Sequence, residues 1–145
     1  MELEVAEPEF LRVWSRVAPG VPGHPGDMGG ILTALLLREQ ERLALCRALG
    51  LGRFARGCMQ RSQALRRGLF FLAGDTPLPR PIPPNPPPDP REGLRRLYQE
   101  LSQGEEDYRR EASVAGDANL TRLFYRCAES CAAQRQQLWQ GISLP

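Results

Sequence analysis

The 145-residue sequence contains no lysine: all 19 of its basic residues are arginine, set against 17 acids. Guanidinium forks grip phosphates through paired hydrogen bonds, so a purely arginine basic set raises nucleic-acid binding first. The distribution argues against it. Net charge is only +2, acids are interleaved with the arginines, and no arginine cluster is flanked by aromatics that would stack on bases. A GC-rich genome would write arginine for lysine without any functional reason. Histidine is almost missing too. The single copy, His24, stands in the Pro/Gly stretch Ala18–Gly26 and reads as an exposed loop residue rather than a metal ligand.

Long apolar runs are also lacking. The longest, Gly29 to Leu37, falls far short of the roughly 20 residues that a membrane helix needs. The acidic start, Met1 to Glu7, has no basic region or cleavage pattern of a secretory signal. These absences lead to the expectation of a cytoplasmic chain with neither a membrane nor a nucleic-acid partner. Cys46, Cys58, Cys127 and Cys131 include no CxxC spacing, which excludes zinc-ribbon and thioredoxin-type readings. In a reducing compartment they are expected to be thiols. No segment carries the strict alternation of a strand.

What is present is helical periodicity, enough for one core. Residues 1–26 form a short unit of their own: an amphipathic helix over Glu9–Val17, with Phe10, Val13, Trp14 and Val17 on one side, then the Pro/Gly linker. A first long helix is expected from about Met28 to Leu49, with Asp27 as its N-cap. The Gly50-Leu51-Gly52 turn leads into a second, Arg53–Ala73, ended by Gly74. So short a turn makes the two antiparallel neighbours. Proline recurs at nearly every second position from Thr76 to Pro90, so this stretch should be extended. It would reach roughly 45 Å at about 3.1 Å per residue, against about 33 Å for a 22-residue helix. That is enough to cross a bundle lengthwise, although a flexible tether between two hairpins would have the same composition. Asp89-Pro90-Arg91-Glu92 combines a capping aspartate, proline at N1 and glutamate at N3. It opens a third helix to about Ser113, and after a loop over Val114–Ala118 a fourth runs from about Asn119 to Gly141.

On helical wheels at 100° per residue, the first stripe is Met28, Leu32, Leu35, Leu36, Glu39, Leu43 and Cys46, with Glu39 at its centre. The third is Leu94, Tyr98, Leu101, Glu105, Tyr108 and Ala112, with Glu105 central. The second carries Phe54, Cys58, Leu65, Leu69 and Leu72, with Arg61 about 60° from the line of Cys58. The fourth carries Leu120, Phe124, Cys127, Cys131, Leu138 and Ile142, with Gln134 beside it. Carboxylates in mid-stripe ask for partners, because an unpaired buried charge is costly.

Over residues 28–142 this arrangement of paired helices, long connection and inward glutamates resembles the ferritin-like superfamily, specifically its rubrerythrin-like bacterial members. The resemblance implies an all-α, ferritin-like four-helix bundle spanning 27–145, with 76–90 as the crossover. In that family a Glu on the first and third helices joins a Glu-x-x-His motif on the second and fourth to hold two iron or manganese ions. Carried over, Glu39 and Glu105 fill the single-Glu positions. Cys58-Met-Gln-Arg61 stands where the first Glu-x-x-His would be, and Cys131-Ala-Ala-Gln134 where the second would be. An alternative register, Gln60-x-x-Gln63, lies on the opposite face of its helix. Neither has a histidine.

Two of six ligands are retained, so the resemblance implies a degenerate site and a non-catalytic bundle with no cofactor, with Arg61 free to pair with Glu39 or Glu105. Alternatives stay open. Glu39, Glu105, Cys58 and Cys131 could form an altered zinc, iron or manganese site, with or without oxidoreductase activity, and Cys58 beside Arg61 could be a redox thiol. A Cys58–Cys131 disulfide is disfavoured by the usual backbone separation across a dimetal site. Tyr98 and Tyr108 are either core residues bonded to Glu39 or water, or relay tyrosines by analogy with active relatives. Homodimerisation is the expected mode of association, with Leu37, Leu45 and Trp139 off the main stripes as contact residues.

Overall fold

The computed structural model describes residues 25–74 and 89–143. They form four helices, α1 (Pro25–Ala48), α2 (Gly52–Ala73), α3 (Pro90–Val114) and α4 (Ala118–Ser143), with no strand among the described residues. The helix over 9–17, His24 and the Pro-rich connection lie outside them. Asp27 falls inside the first turn of α1 instead of capping it.

Each boundary has a local cause. Gly50 takes φ 71°, which suits a residue without Cβ. It lets its own N–H reach Arg47 O at 3.1 Å while Leu51 N–H reaches Cys46 O at 2.9 Å. These paired bonds satisfy carbonyls that the helix end leaves open. Gly74, at φ 74°, closes α2 with its N–H on Phe70 O. Asp89 caps α3 by accepting from Glu92 N at 2.8 Å, with Pro90 behind it. Asp117 does the same for α4, its Oδ1 accepting from Asn119 N and Leu120 N at 2.9 and 3.0 Å.

The helices pack as two hairpins, α1 with α2 and α3 with α4, laid together so that α2 borders α4 and α1 borders α3. Side-chain pairs give the directions. Leu32 and Leu123 both lie against Gly68, and Gln134 lies against Gly57, so α2 runs antiparallel to α1 and to α4. Tyr98 meets Trp139 and Gly104 meets Cys131, so α3 and α4 are antiparallel as well. Leu32, Leu36, Leu65, Leu97, Leu101 and Phe124 fill the centre with no exposure.

Three stripe assignments need correcting. Leu72, placed on the core face of α2, is 44% exposed, and Leu45, taken as a contact residue, is buried. On α3 the inward face is Gly93, Leu97, Leu101, Gly104, Tyr108 and Ala112. It is centred one residue earlier than the expected stripe, which moves Glu105 from the centre to the flank. Gly93 and Gly104 contribute no apolar side chain to a wheel, yet they occupy its innermost line.

Candidate functional site

The middle of the bundle holds charge. Glu39 is completely buried, and Arg42 and Arg61 beside it are 1% and 2% exposed. One carboxylate oxygen, Glu39 Oε2, accepts three hydrogen bonds: from Arg61 Nε at 2.8 Å, Arg42 Nη1 at 3.1 Å and the Tyr108 hydroxyl at 2.5 Å. Charge-assisted bonds of this length are the strong kind. They draw α1, α2 and α3 onto a single atom.

Arg61 extends the network to the fourth helix. Its Nη1 donates to Gln134 Oε1 at 2.7 Å and to Ser130 Oγ at 2.9 Å, and its Nη2 donates to Cys58 Sγ at 3.4 Å. Gln134 in turn donates to Phe54 O at 3.3 Å. Two glycines make the space. A Cβ on Gly57 would sit 2.2 Å from Gln134 Nε2, and one on Gly104 would sit 3.0 Å from Cys131 Sγ and 3.1 Å from Arg42 Cζ.

Arg42 leans outward to Glu100, with Nε 3.3 Å from Oε1. That contact lacks hydrogen-bond alignment, and Arg42 Nε, Arg42 Nη2 and Glu39 Oε1 have no hydrogen-bond partner among the described residues. Buried orphan groups of this kind cost free energy, so the centre is not optimised for stability alone. Burial works to lower the pKa of both arginines, but the acidic groups around them, Glu39 foremost, together outweigh it and both are raised. Both guanidiniums therefore remain cations. Tyr108 is pushed well up, first by burial and then by the adjacent Glu39 charge, so it stays a donor.

Of the residues singled out from sequence, the structure brings together Glu39, Cys58, Arg61, Tyr108, Cys131 and Gln134. It keeps Glu105 apart. That carboxylate is tied to Arg109 (2.9 Å) and Arg135 at the α3–α4 edge, with 17% of its side chain exposed. Tyr98 packs half-buried against Trp139, ring centres 5.8 Å apart. Gln60 and Gln63 are exposed, in accord with the preference for Cys58 and Arg61 as the inward pair. Arg42 was not foreseen, although the signal existed. It lies seven residues after Leu35 and so about 20° from it on the wheel, within the stripe, one turn beyond Glu39.

Whether these residues suit a pair of metal ions is a question of charge and donors. Among the described residues Glu39 is the only carboxylate in the buried centre, its one bonded oxygen is saturated by donors, and two guanidiniums occupy the surroundings where cations would sit. Among the described residues no group of three or more His, Cys, Asp or Glu side chains converges as metal ligands would. A dinuclear metal centre does not fit this arrangement. Comparison with protein-family models, curated proteins and solved structures finds none that matches the chain.

Proposed function

We propose that this chain is a non-catalytic, ferritin-like bundle in which an arginine–glutamate–tyrosine network replaces the dimetal site, and that it serves as a self-associating helical module. The observation that carries this reading is the triple hydrogen bonding of Glu39 Oε2 by Arg42, Arg61 and Tyr108. A carboxylate at the position of a metal ligand in an active relative is here neutralised from within the protein. The helix order lends support. With every neighbouring pair antiparallel, Ala73 and Pro90 lie at opposite ends of the bundle, which is the placement a lengthwise crossover between the hairpins requires.

Association rests on exposed apolar side chains. Phe71 is 83%, Phe70 64% and Trp139 57% exposed, and large aromatics in water are what protein contacts use. The partner we assign is a second copy of the chain.

Elemental analysis tests the first half of the reading. Protein made in medium supplemented with iron, manganese and zinc should carry far less than one metal per chain, and E39Q should not lower that content. Near-stoichiometric metal lost in E39Q would overturn it. Sedimentation of the full chain tests the second half: a concentration-dependent dimer weakened by F71S or W139S is expected, and a monomer at every concentration would exclude it.

A further inference from the structure

The outer face of α2 changes character along its length. Arg53, Arg56, Arg67, Phe70 and Phe71 recur at spacings that keep them on one side of the helix, and all five are exposed. The helix contains no acid, and neither Arg67 nor the exposed Arg66 pairs with one among the described residues. Phe70 and Phe71 meet edge to face, ring centres 6.1 Å apart, and no described helix covers them. A basic patch is thus followed, toward the end of α2, by an aromatic one.

Two stretches of chain join the fold beside this patch. Leu32 of α1 lies against Gly68, so the first turns of α1 and the last turn of α2 share one end of the bundle. The residues before Pro25 therefore enter next to Phe70 and Phe71, and the connection after Gly74 leaves from there. That connection has only Leu78 and Ile82 as apolar residues besides proline, and it must travel to Pro90 at the opposite end. The preceding residues match the patch better. Glu2, Glu4, Glu7 and Glu9 come first with no base among them, and Phe10, Val13, Trp14 and Val17 follow at helical spacing. Counted back from Pro25, the apolar part comes first and the acids further out. Phe71 and Phe70 give way to Arg67 and Arg66 in the same order, moving away from the end of α2.

We propose that residues 1–17 dock in cis along the outer face of α2, with the Phe10 and Trp14 side on Phe70 and Phe71 and the glutamates beside Arg66 and Arg67. Reach permits it. Seven residues separate Val17 from Pro25, about 25 Å when extended, while Gly68 to Phe71 is only about 4.5 Å of helix. A helix as short as 9–17 gains little from its own hydrogen bonds, so burial of its apolar side is what holds it. The short tether keeps the segment at about millimolar local concentration, which sets it ahead of the same segment from another chain. This goes beyond self-association. A second copy has to compete with the segment for Phe70 and Phe71, but not for Trp139, which packs on Tyr98 at the opposite end of the bundle.

The chain has two tryptophans, Trp14 and Trp139, so W139F leaves Trp14 as the only indole. At concentrations where sedimentation finds monomer, its emission is expected at short wavelength and shielded from acrylamide. F70S/F71S should move it to the emission of a solvated indole, and so should R66E/R67E. All four positions are exposed, so the bundle itself should stay folded, which far-UV circular dichroism checks. E4R/E7R should act the same way alone and restore the shielded emission when combined with R66E/R67E. A solvated Trp14 in the W139F parent would overturn the proposal, as would a shielded one indifferent to both pairs of substitutions. Shielding that appears only as a dimer forms would assign the docked segment to the second copy. An oligonucleotide bound by the parent and lost in R66E/R67E, with Trp14 emission unchanged, would give the arginines to nucleic acid. Either of these results would overturn docking in cis. Because the emission is read on the monomer, it decides the docking even if the chain never dimerises.

Discussion

The Nε of Arg61 on α2 donates to Oε2 of Glu39 on α1 over 2.8 Å, and both side chains are withdrawn from solvent. The pair has no surface to fall back on. Removing the carboxylate leaves two guanidiniums facing each other in the core, whereas removing all charge leaves only a packing problem. E39A is therefore expected to lose about 3–5 kcal/mol in urea unfolding, the usual cost of breaking a buried ion pair on one side. The triple variant E39L/R42M/R61M should recover most of that loss, because desolvation offsets much of what such pairs contribute. A triple variant as unstable as E39A would mean that the network holds the fold together.

Tyr108 provides a smaller and cleaner probe. Its hydroxyl donates to the same oxygen at 2.5 Å and its side chain is fully buried. Y108F removes one charge-assisted hydrogen bond without opening a cavity, so a loss of about 1.5–3 kcal/mol is expected. Unchanged stability would show that the two arginines satisfy the carboxylate by themselves.

Gly57 and Gln134 should show an effect that changes sign. Alanine normally stabilises a helix over glycine by about 1 kcal/mol, but here a Cβ would meet Gln134 Nε2 at 2.2 Å. The amide could swing away only by giving up Arg61 and Phe54 O. G57A should thus destabilise the protein by about 1–3 kcal/mol, the range for overpacking. In a Q134A background the same substitution should stabilise it. Thermal melts of the four proteins in the cycle decide it, and destabilisation in both backgrounds would place the clash elsewhere.

How far the sequence carries depends on which residues bear the information. The Asp89-Pro90-Arg91-Glu92 start of α3 was legible because a cap is a local bond between residues three apart, and so was the tight turn at Gly50. Glu39 was legible because a charge in the middle of leucines stands out. Glu105 misled for the opposite reason. The inner line of α3 is marked by Gly93 and Gly104, and a residue without a side chain looks blank on a wheel although it marks where neighbours come closest. Arg42 hid for a third reason: arginines are usually solvated, and it takes the buried Glu39 one turn back on the same helix together with Glu100 on α3 to explain one on an inward face. No pattern within a single helix could tell which glutamate Arg61 would choose. That depends on how the hairpins meet.

Two carboxylates on α3 should respond to acid in opposite ways. Burial acts to raise the pKa of Glu105, but hydrogen bonds from Arg109 and Arg135 outweigh it and hold the group below its usual range. Its stabilising contribution is then full above the ordinary carboxylate pKa and fades as pH falls through the lower folded value. Glu111 is raised, chiefly by burial, with Asp107 adding to that and Arg110 opposing it. Its contribution is full below the ordinary carboxylate pKa and is lost as pH rises through the higher folded value, so at neutral pH it works against the fold. E105Q should accordingly lower stability near pH 7 and converge with the parent in acid, by no more than about 1 kcal/mol for pairs open to solvent. E111Q should raise stability near pH 7, and that gain should vanish as the medium is acidified. Melting temperatures across pH 3–8 that move the same way in both variants would contradict this assignment, since only groups displaced in opposite directions give differences of opposite sign.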